Sequence, residues 1–205
     1  LQVNDQLVDM SSSTVLPNEY NSPENILALE QVMTAQYVRA AKVNTTLWKM
    51  YTSSDLRRSK YFNQVTVSNI LVAKGGSNQY SCSFRVGEIY LNAAEAALMT
   101  GESAMPAART YLLTLIKQRY KAAAYTEKET AINAMGRDEL LQEIYDERTR
   151  ELAFEGHRWF DLRRTTRPRL EKTYSGTTYV LEENDSRYTI RIPSEAIEAN
   201  PGLAN

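Results

Sequence analysis

Cysteine and histidine are nearly absent: one of each, Cys82 and His157, in 205 residues. A lone cysteine makes no internal disulfide and leaves the redox compartment open. The pair falls short of the three or four ligands of a Cys/His zinc site, and no metal or other cofactor is expected. A basic excess is missing too: 24 Lys and Arg stand against 25 Asp and Glu. That balance argues against nucleic acid as a partner, because tracking phosphates needs surplus positive charge. No apolar run approaches the length that crosses a bilayer. Phe and Trp are scarce, 4 and 2 against 13 Tyr. Tyrosine suits surfaces that stack on sugars and also hydrogen-bond, although core packing uses it as well.

What is present suffices for one packed domain over residues 1–205, since 42% of the chain is hydrophobic. The chain opens at Leu1, without a methionine or a signal segment, and is read as a piece whose upstream region lies elsewhere. Cys82 sits between Tyr80-Ser81 and Ser83-Phe84 instead of behind an apolar signal segment, so a small buried filler is expected there.

Residues 1–80 read as irregular, with short elements. Ile26, Leu27 and Leu29 suggest a strand, and Leu47, Met50 and Tyr51 one short helix. Val65, Val67 and Leu71 suggest a second strand, closed by a turn at Gly75-Gly76-Ser77-Asn78. Residues 81–165 are helical in pattern. Val86, Ile89, Tyr90, Ala93, Ala94, Ala97 and Leu98 make one apolar helix face, stopped by Gly101. Pro106 starts the next helix, with Ala108, Leu112, Leu115, Ile116 and Arg119 on one side. The two make an antiparallel, tetratricopeptide-like pair. Thr126 and Glu129 are spaced as a capping box for a further helix. Another helix starts near Asp138, with Leu141, Ile144, Tyr145, Arg148 and Leu152 on its inner side. Residues 166–205 switch to a period of two, which predicts a hairpin turning at Glu183-Asn184-Asp185-Ser186 between Tyr179-Leu181 and Tyr188-Ile192. The expected fold is mainly α: the helix pair, further helices, irregular segments and a small C-terminal β-hairpin.

The segment from Glu147 to Arg164 carries the most information. Glu147, Glu151 and Glu155 recur every fourth residue on one helix face, with Arg148 and Arg158 in pairing range. Trp159 and Phe160 follow as large anchors. Such charges predict ion pairs partly buried against other helices, with Arg85, Glu88 and Glu95 as candidates.

This segment resembles the signature of the SusD/RagB family, E-R-x-x-E-L-x-F-E-G-x-R-W-x-D-L-x-R. Arg85 to Ala96 resembles the family's R-x-x-E-x-x-L-x-x-A-E-A helix, with Gly87 where alanine is usual. Asp55-Leu56-Arg57 before Tyr61-Phe62 resembles its D-x-R and Y-F element, and Ile192-Pro193, Glu195-Ala196-Ile197 and Asn200-Pro201 its closing motif. A weaker match lies at Glu24-Asn25-Ile26. The resemblance implies the C-terminal part of a surface-exposed outer-membrane lipoprotein. Such a protein holds oligosaccharide, or in some members peptide, above a SusC-like TonB-dependent transporter. The lipid anchor would lie in the missing N-terminal part.

A glycosidase would need two carboxyls across a cleft, and the glutamate row instead points one way amid arginines. His157 stands at a variable position of the signature with no nucleophile motif beside it. No enzymatic activity is therefore expected. Trp159 is expected to be a mostly buried anchor. Ligand contacts are expected from an upstream loop region holding Tyr37, Arg39 and Trp48. The alternative is a helical-repeat scaffold that binds another protein.

Overall fold

Long apolar periods are missing before Phe84, and the chain there folds into short elements tied to later ones. The computed structural model describes residues 4–29, 42–74 and 81–203. Tyr37, Arg39, the turn at Gly75–Asn78 and the surroundings of the Cys82 side chain lie outside that description. The chain divides into two compact units, residues 1–155 and 156–205.

In the first unit β1 (Asn25–Leu29) pairs antiparallel with β4 (Ser81–Arg85). Helix α1 (Thr45–Lys49) is capped by Asn44, whose side chain accepts from the Thr46 amide at 2.7 Å. After α2 (Arg57–Tyr61) come β2 (Phe62–Gln64) and β3 (Ile70–Val72), an antiparallel pair. The alternating valines that predicted one strand are instead in the turn between these two. The Val65 amide donates to Asn69 O at 2.9 Å, and Val67 is 90% exposed. Alternation without a partner for the apolar face does not hold a strand in place.

Helices α3 (Val86–Thr100) and α4 (Met105–Lys117) form the predicted pair. Gly101 turns the chain with φ +133°, a conformation that a Cβ disfavours, and Pro106 lies in the first turn of α4. Leu91, Ala94 and Leu98 meet Ala108, Leu112, Leu115 and Ile116 in one fully buried cluster. The small alanines let the helix axes approach, and each leucine contributes about 2 kcal/mol of burial. Helix α5 (Ala122–Ala134) begins four residues before the expected capping box. The Ala122-Ala123-Ala124 run is strongly helix-forming. Thr126 therefore lies inside the helix, and Glu129 accepts instead from the Tyr125 hydroxyl at 2.7 Å. Helix α6 (Arg137–Glu151) starts with the Gly136 amide donating to Glu139 at 2.9 Å. It packs on α3 through Leu140 and Ile144, with Leu141 half-buried. A second cluster gathers Tyr51, Tyr61, Phe62, Ile70 and Val72 with Met10 and Val43.

In the second unit, α7 (Arg158–Arg164) precedes a hairpin of β5 (Leu170–Tyr174) and β6 (Thr177–Leu181). Its turn is Ser175-Gly176, both with positive φ (48° and 80°), which suits the strand twist. The hairpin is thus present, but Tyr179–Leu181 pairs backward with Leu170–Lys172, not forward with residues 188–192. Beyond it, Asp185 accepts from the Arg187 amide at 2.8 Å and bends Ser186–Tyr188 into a 3-10 turn. Ile190 is left 76% exposed. Helix α8 (Ser194–Ala199) follows. Trp159 is half-buried, less than expected, and stacks on Tyr188 with ring centres 5.1 Å apart and planes at 13°. Tyr188 is fully buried, and its hydroxyl donates to Pro168 O.

Candidate ligand-binding cleft and the ion cluster behind it

Several stretches of the first unit far apart in sequence send charges to one buried place. Glu24 stands before β1, Asp55 and Arg57 at the start of α2, Lys74 after β3, Arg85 at the end of β4 and Arg119 after α4. Helix α6 supplies Glu147 and Glu151, and Glu155 follows it. Glu151 takes Arg85 Nη1 at 2.6 Å, Arg119 Nη2 at 2.9 Å and Arg57 Nη1 at 2.9 Å. Glu147 takes Arg57 at 2.5 Å and Arg150 at 2.8 Å. Glu24 bridges Arg119 at 2.5 Å and Arg85 at 3.1 Å. Glu155 bridges Lys74 at 2.5 Å and Arg85 at 2.8 Å. Of the partners expected on other helices, Arg85 joins this network. Glu88 lies 3.9 Å from Arg148, and Glu95 accepts from the Tyr145 hydroxyl at 3.4 Å.

Burial alone would favour the neutral carboxyl, but the guanidinium groups outweigh it. Arg119, Arg85 and Arg57 hold Glu151 well below its ordinary range, and Arg57 with Arg150 lowers Glu147. Burial likewise opposes the charge on Glu155, yet Arg85 and Lys74 lower it. Lys74 goes the other way: burial pulls its ammonium down to about 8 against the attraction of Glu155. A glycosidase acid needs a carboxyl held protonated at working pH. These three are held ionised, with their oxygens committed to arginines, so the row is suited to bracing the fold and not to proton transfer. Among the described residues, no group of three or more His, Cys, Asp or Glu side chains is placed to hold a metal ion.

The cluster positions a surface feature. Asp55 forms an isolated bridge with Tyr120, and the Lys121 amide donates to Ser54 O at 3.1 Å. These contacts bring the start of α2 beside the end of the α4 segment. In front of them opens a cleft of about 530 Å³ lined by Trp48, Arg58, Phe62, Asn63, Gln64 and Lys121, among others. That volume suits a few sugar rings. Trp48 is half-buried: Phe62 meets it edgewise at 5.3 Å and 82°, and the Arg58 guanidinium lies 4.1 Å from its ring centre. Asp55 also borders the cleft, but both its oxygens are taken by Arg57, at 2.8 and 2.9 Å.

Of the three residues the sequence suggested for ligand contact, Trp48 is at this cleft, and Tyr37 and Arg39 lie outside the described residues. Trp48 also packs on the second core cluster, so its indole is partly structural. Sequence reasoning passed over Arg58, Asn63, Gln64 and Lys121. The Arg57-Arg58 pair offered a signal: on a helix, adjacent arginines point different ways, so one turned inward leaves the other for the surface. Lys121 had none, because a distant backbone bridge brings it there. His157, at the start of α7, is half-buried.

A family model described as SusD family matches residues 14–205. No curated protein matches the sequence. Among solved structures, a SusD-like carbohydrate binding protein from Bacteroides vulgatus ATCC 8482 superposes with a TM-score of 0.64 at 19% identity, over 100% of this chain and 53% of that one. A SusD superfamily protein from Bacteroides fragilis gives 0.69 at 19% identity, over 98% and 49%. A further one from Bacteroides vulgatus ATCC 8482 gives 0.61 at 20%, over 88% and 45%. This chain thus spans about half the length of these structures, and the likeness to them is one of fold. With the family match running from residue 14 to the last residue, the chain belongs to the SusD family.

Proposed function

We propose that this chain is the C-terminal part of a nutrient-binding lipoprotein that captures oligosaccharide at the outer-membrane surface. It then passes the glycan to a SusC-like TonB-dependent transporter. It acts by binding and carries out no bond cleavage. The observation that carries the reading is the cleft at Trp48, where an indole, a guanidinium and the amides of Asn63 and Gln64 line one concavity. Sugar recognition pairs an aromatic surface with a few orienting polar groups, and this cleft has both. Membership of the SusD family and the fold shared with a carbohydrate binding protein support it. A protein-binding repeat scaffold is the weaker alternative. Its groove comes from stacked copies of a repeat, whereas the α3–α4 pair is joined here by α5 and α6.

The test is a glycan array on the full-length gene product, followed by titration of the strongest glycan into the Trp48→Ala variant. Affinity should fall at least tenfold at a temperature where circular dichroism shows the variant still folded. An array on which no glycan binds would overturn the reading. Lost stability with retained affinity would return Trp48 to the core and move the site elsewhere.

A further inference from the structure

We propose that the Trp48 cleft selects sugars bearing an anionic group, a carboxylate or a sulfate ester, and that Arg58 and Lys121 hold it. The proposal rests on the glycan-capture reading above and names the ligand class at the same site.

The argument is one of charge left over. In the first unit Arg57, Arg85, Arg119, Arg137, Arg148 and Arg150 each have a carboxylate within ion-pairing distance. Arg109 donates to the carbonyls of Ile132 and Met135. Arg58 differs. Among the described residues it has no carboxylate partner, and its one hydrogen bond runs from Nη1 to Tyr51 O at 2.8 Å. Its guanidinium lies over the Trp48 ring, which satisfies a face and no donor. Nε and Nη2 therefore keep their N–H groups unspent, on a half-buried side chain already held in place. A planar fork of that kind matches a carboxylate or sulfate in two-point contact, and charge-assisted bonds are roughly twice as strong as neutral ones.

Lys121 adds a second cation. Its side chain is exposed, lines the same cleft and has no acidic partner among the described residues. Among the described residues, Asp55 is the one carboxylate bordering the cleft, and it is fully buried and consumed by Arg57. Among the described residues, the groups left to meet a ligand are thus two cations and neutral amides and hydroxyls. A neutral sugar would leave that charge uncompensated, and an acidic one would pair it. In this arrangement Trp48 is a positioning residue as well as a wall: it holds the Arg58 guanidinium over its ring.

The experiment is an array of uronic-acid and sulfated oligosaccharides printed beside their carboxyl-reduced and desulfated forms, probed with the full-length gene product. Binding should concentrate on acidic members, vanish on removal of the acid and weaken with added salt. Whether the uronic or the sulfated series responds identifies the source of the anion. Arg58→Gln and Lys121→Gln should each lower affinity for the strongest acidic probe at least tenfold, with Arg58→Lys recovering part of it. Lys121 is exposed, so its variant stays informative even if Arg58→Gln perturbs the local packing. Equal binding of neutral and acidic forms, unaffected by both variants, would overturn this inference and leave glycan capture standing. Acidic probes bound with undiminished affinity by both variants would also overturn it. A blank array would overturn both readings.

Discussion

Arg119 grips Glu151 with two nitrogens: Nε lies 3.0 and 3.1 Å from the two carboxylate oxygens and Nη2 lies 2.9 Å from one of them, with both side chains fully buried. The contact joins the end of the α4 segment to the end of α6. The same carboxylate meets Arg57 and Arg85, so four stretches of chain distant in sequence meet at one residue. Taking these charges out of water is costly, and their mutual attraction offsets that cost only when every partner is in place. The cluster therefore specifies one arrangement of the helices more than it adds net stability.

Replacing Glu151 by Gln should be severely destabilising. The shape is kept, but Arg57, Arg85 and Arg119 lose a shared countercharge in a buried site. A loss on the order of 3–5 kcal/mol is expected, read from urea denaturation with the slope unchanged. A loss under about 1 kcal/mol would show that the arginines find other partners.

Acid should unfold the first unit steeply. Glu147, Glu151 and Glu155 have folded pKa values below the ordinary 4.5. The unfolded chain therefore binds more protons than the folded one once the pH drops below that value. Their stabilisation is fully present above about 4.5 and is lost as the pH falls through the lowered values. With all three contributing, the slope approaches about 4 kcal/mol per pH unit. Circular dichroism melts between pH 6 and pH 3 would read it, and a flat melting temperature would contradict the assignment.

Gly87→Ala should destabilise, although alanine is the better helix former by about 1 kcal/mol. A Cβ there would lie 2.5 Å from Arg85 Nη1 and 3.0 Å from both Glu151 Oε1 and Glu24 Oε2. Arg85 cannot swing aside, because it is also tied to Glu155. The expected net loss is about 1–3 kcal/mol, the usual cost of overpacking. A gain in melting temperature would mean the cluster has slack at this point.

Misplaced elements show where sequence patterns run out. Ser175-Gly176 is a two-residue hairpin signal in the sequence, passed over in favour of the Glu183–Ser186 cluster. Both are turns, and only pairing partners distinguish them. On α6, Ile144, Arg148 and Leu152 are buried as expected and Leu141 and Tyr145 are half-buried, while Leu140, Glu147 and Glu151, outside the expected face, are buried as well. Patterns of hydrophobicity recover only part of a helix face whose buried side is charged.

What the sequence by itself determined is whatever depends on near neighbours. The α3–α4 pair, its Gly101 stop, its Pro106 start and the signature from Glu147 to Arg164 follow from spacing within a few helical turns, where side-chain positions are set by the helix itself. Tertiary structure decided the rest. Which arginine meets which glutamate, that Arg58 lies on Trp48, and that Lys121 borders the same cleft all depend on how segments far apart in the chain close on one another. Spacing along the chain carries no record of that closure, because each of those contacts exists only once the packed core has brought its partners within reach.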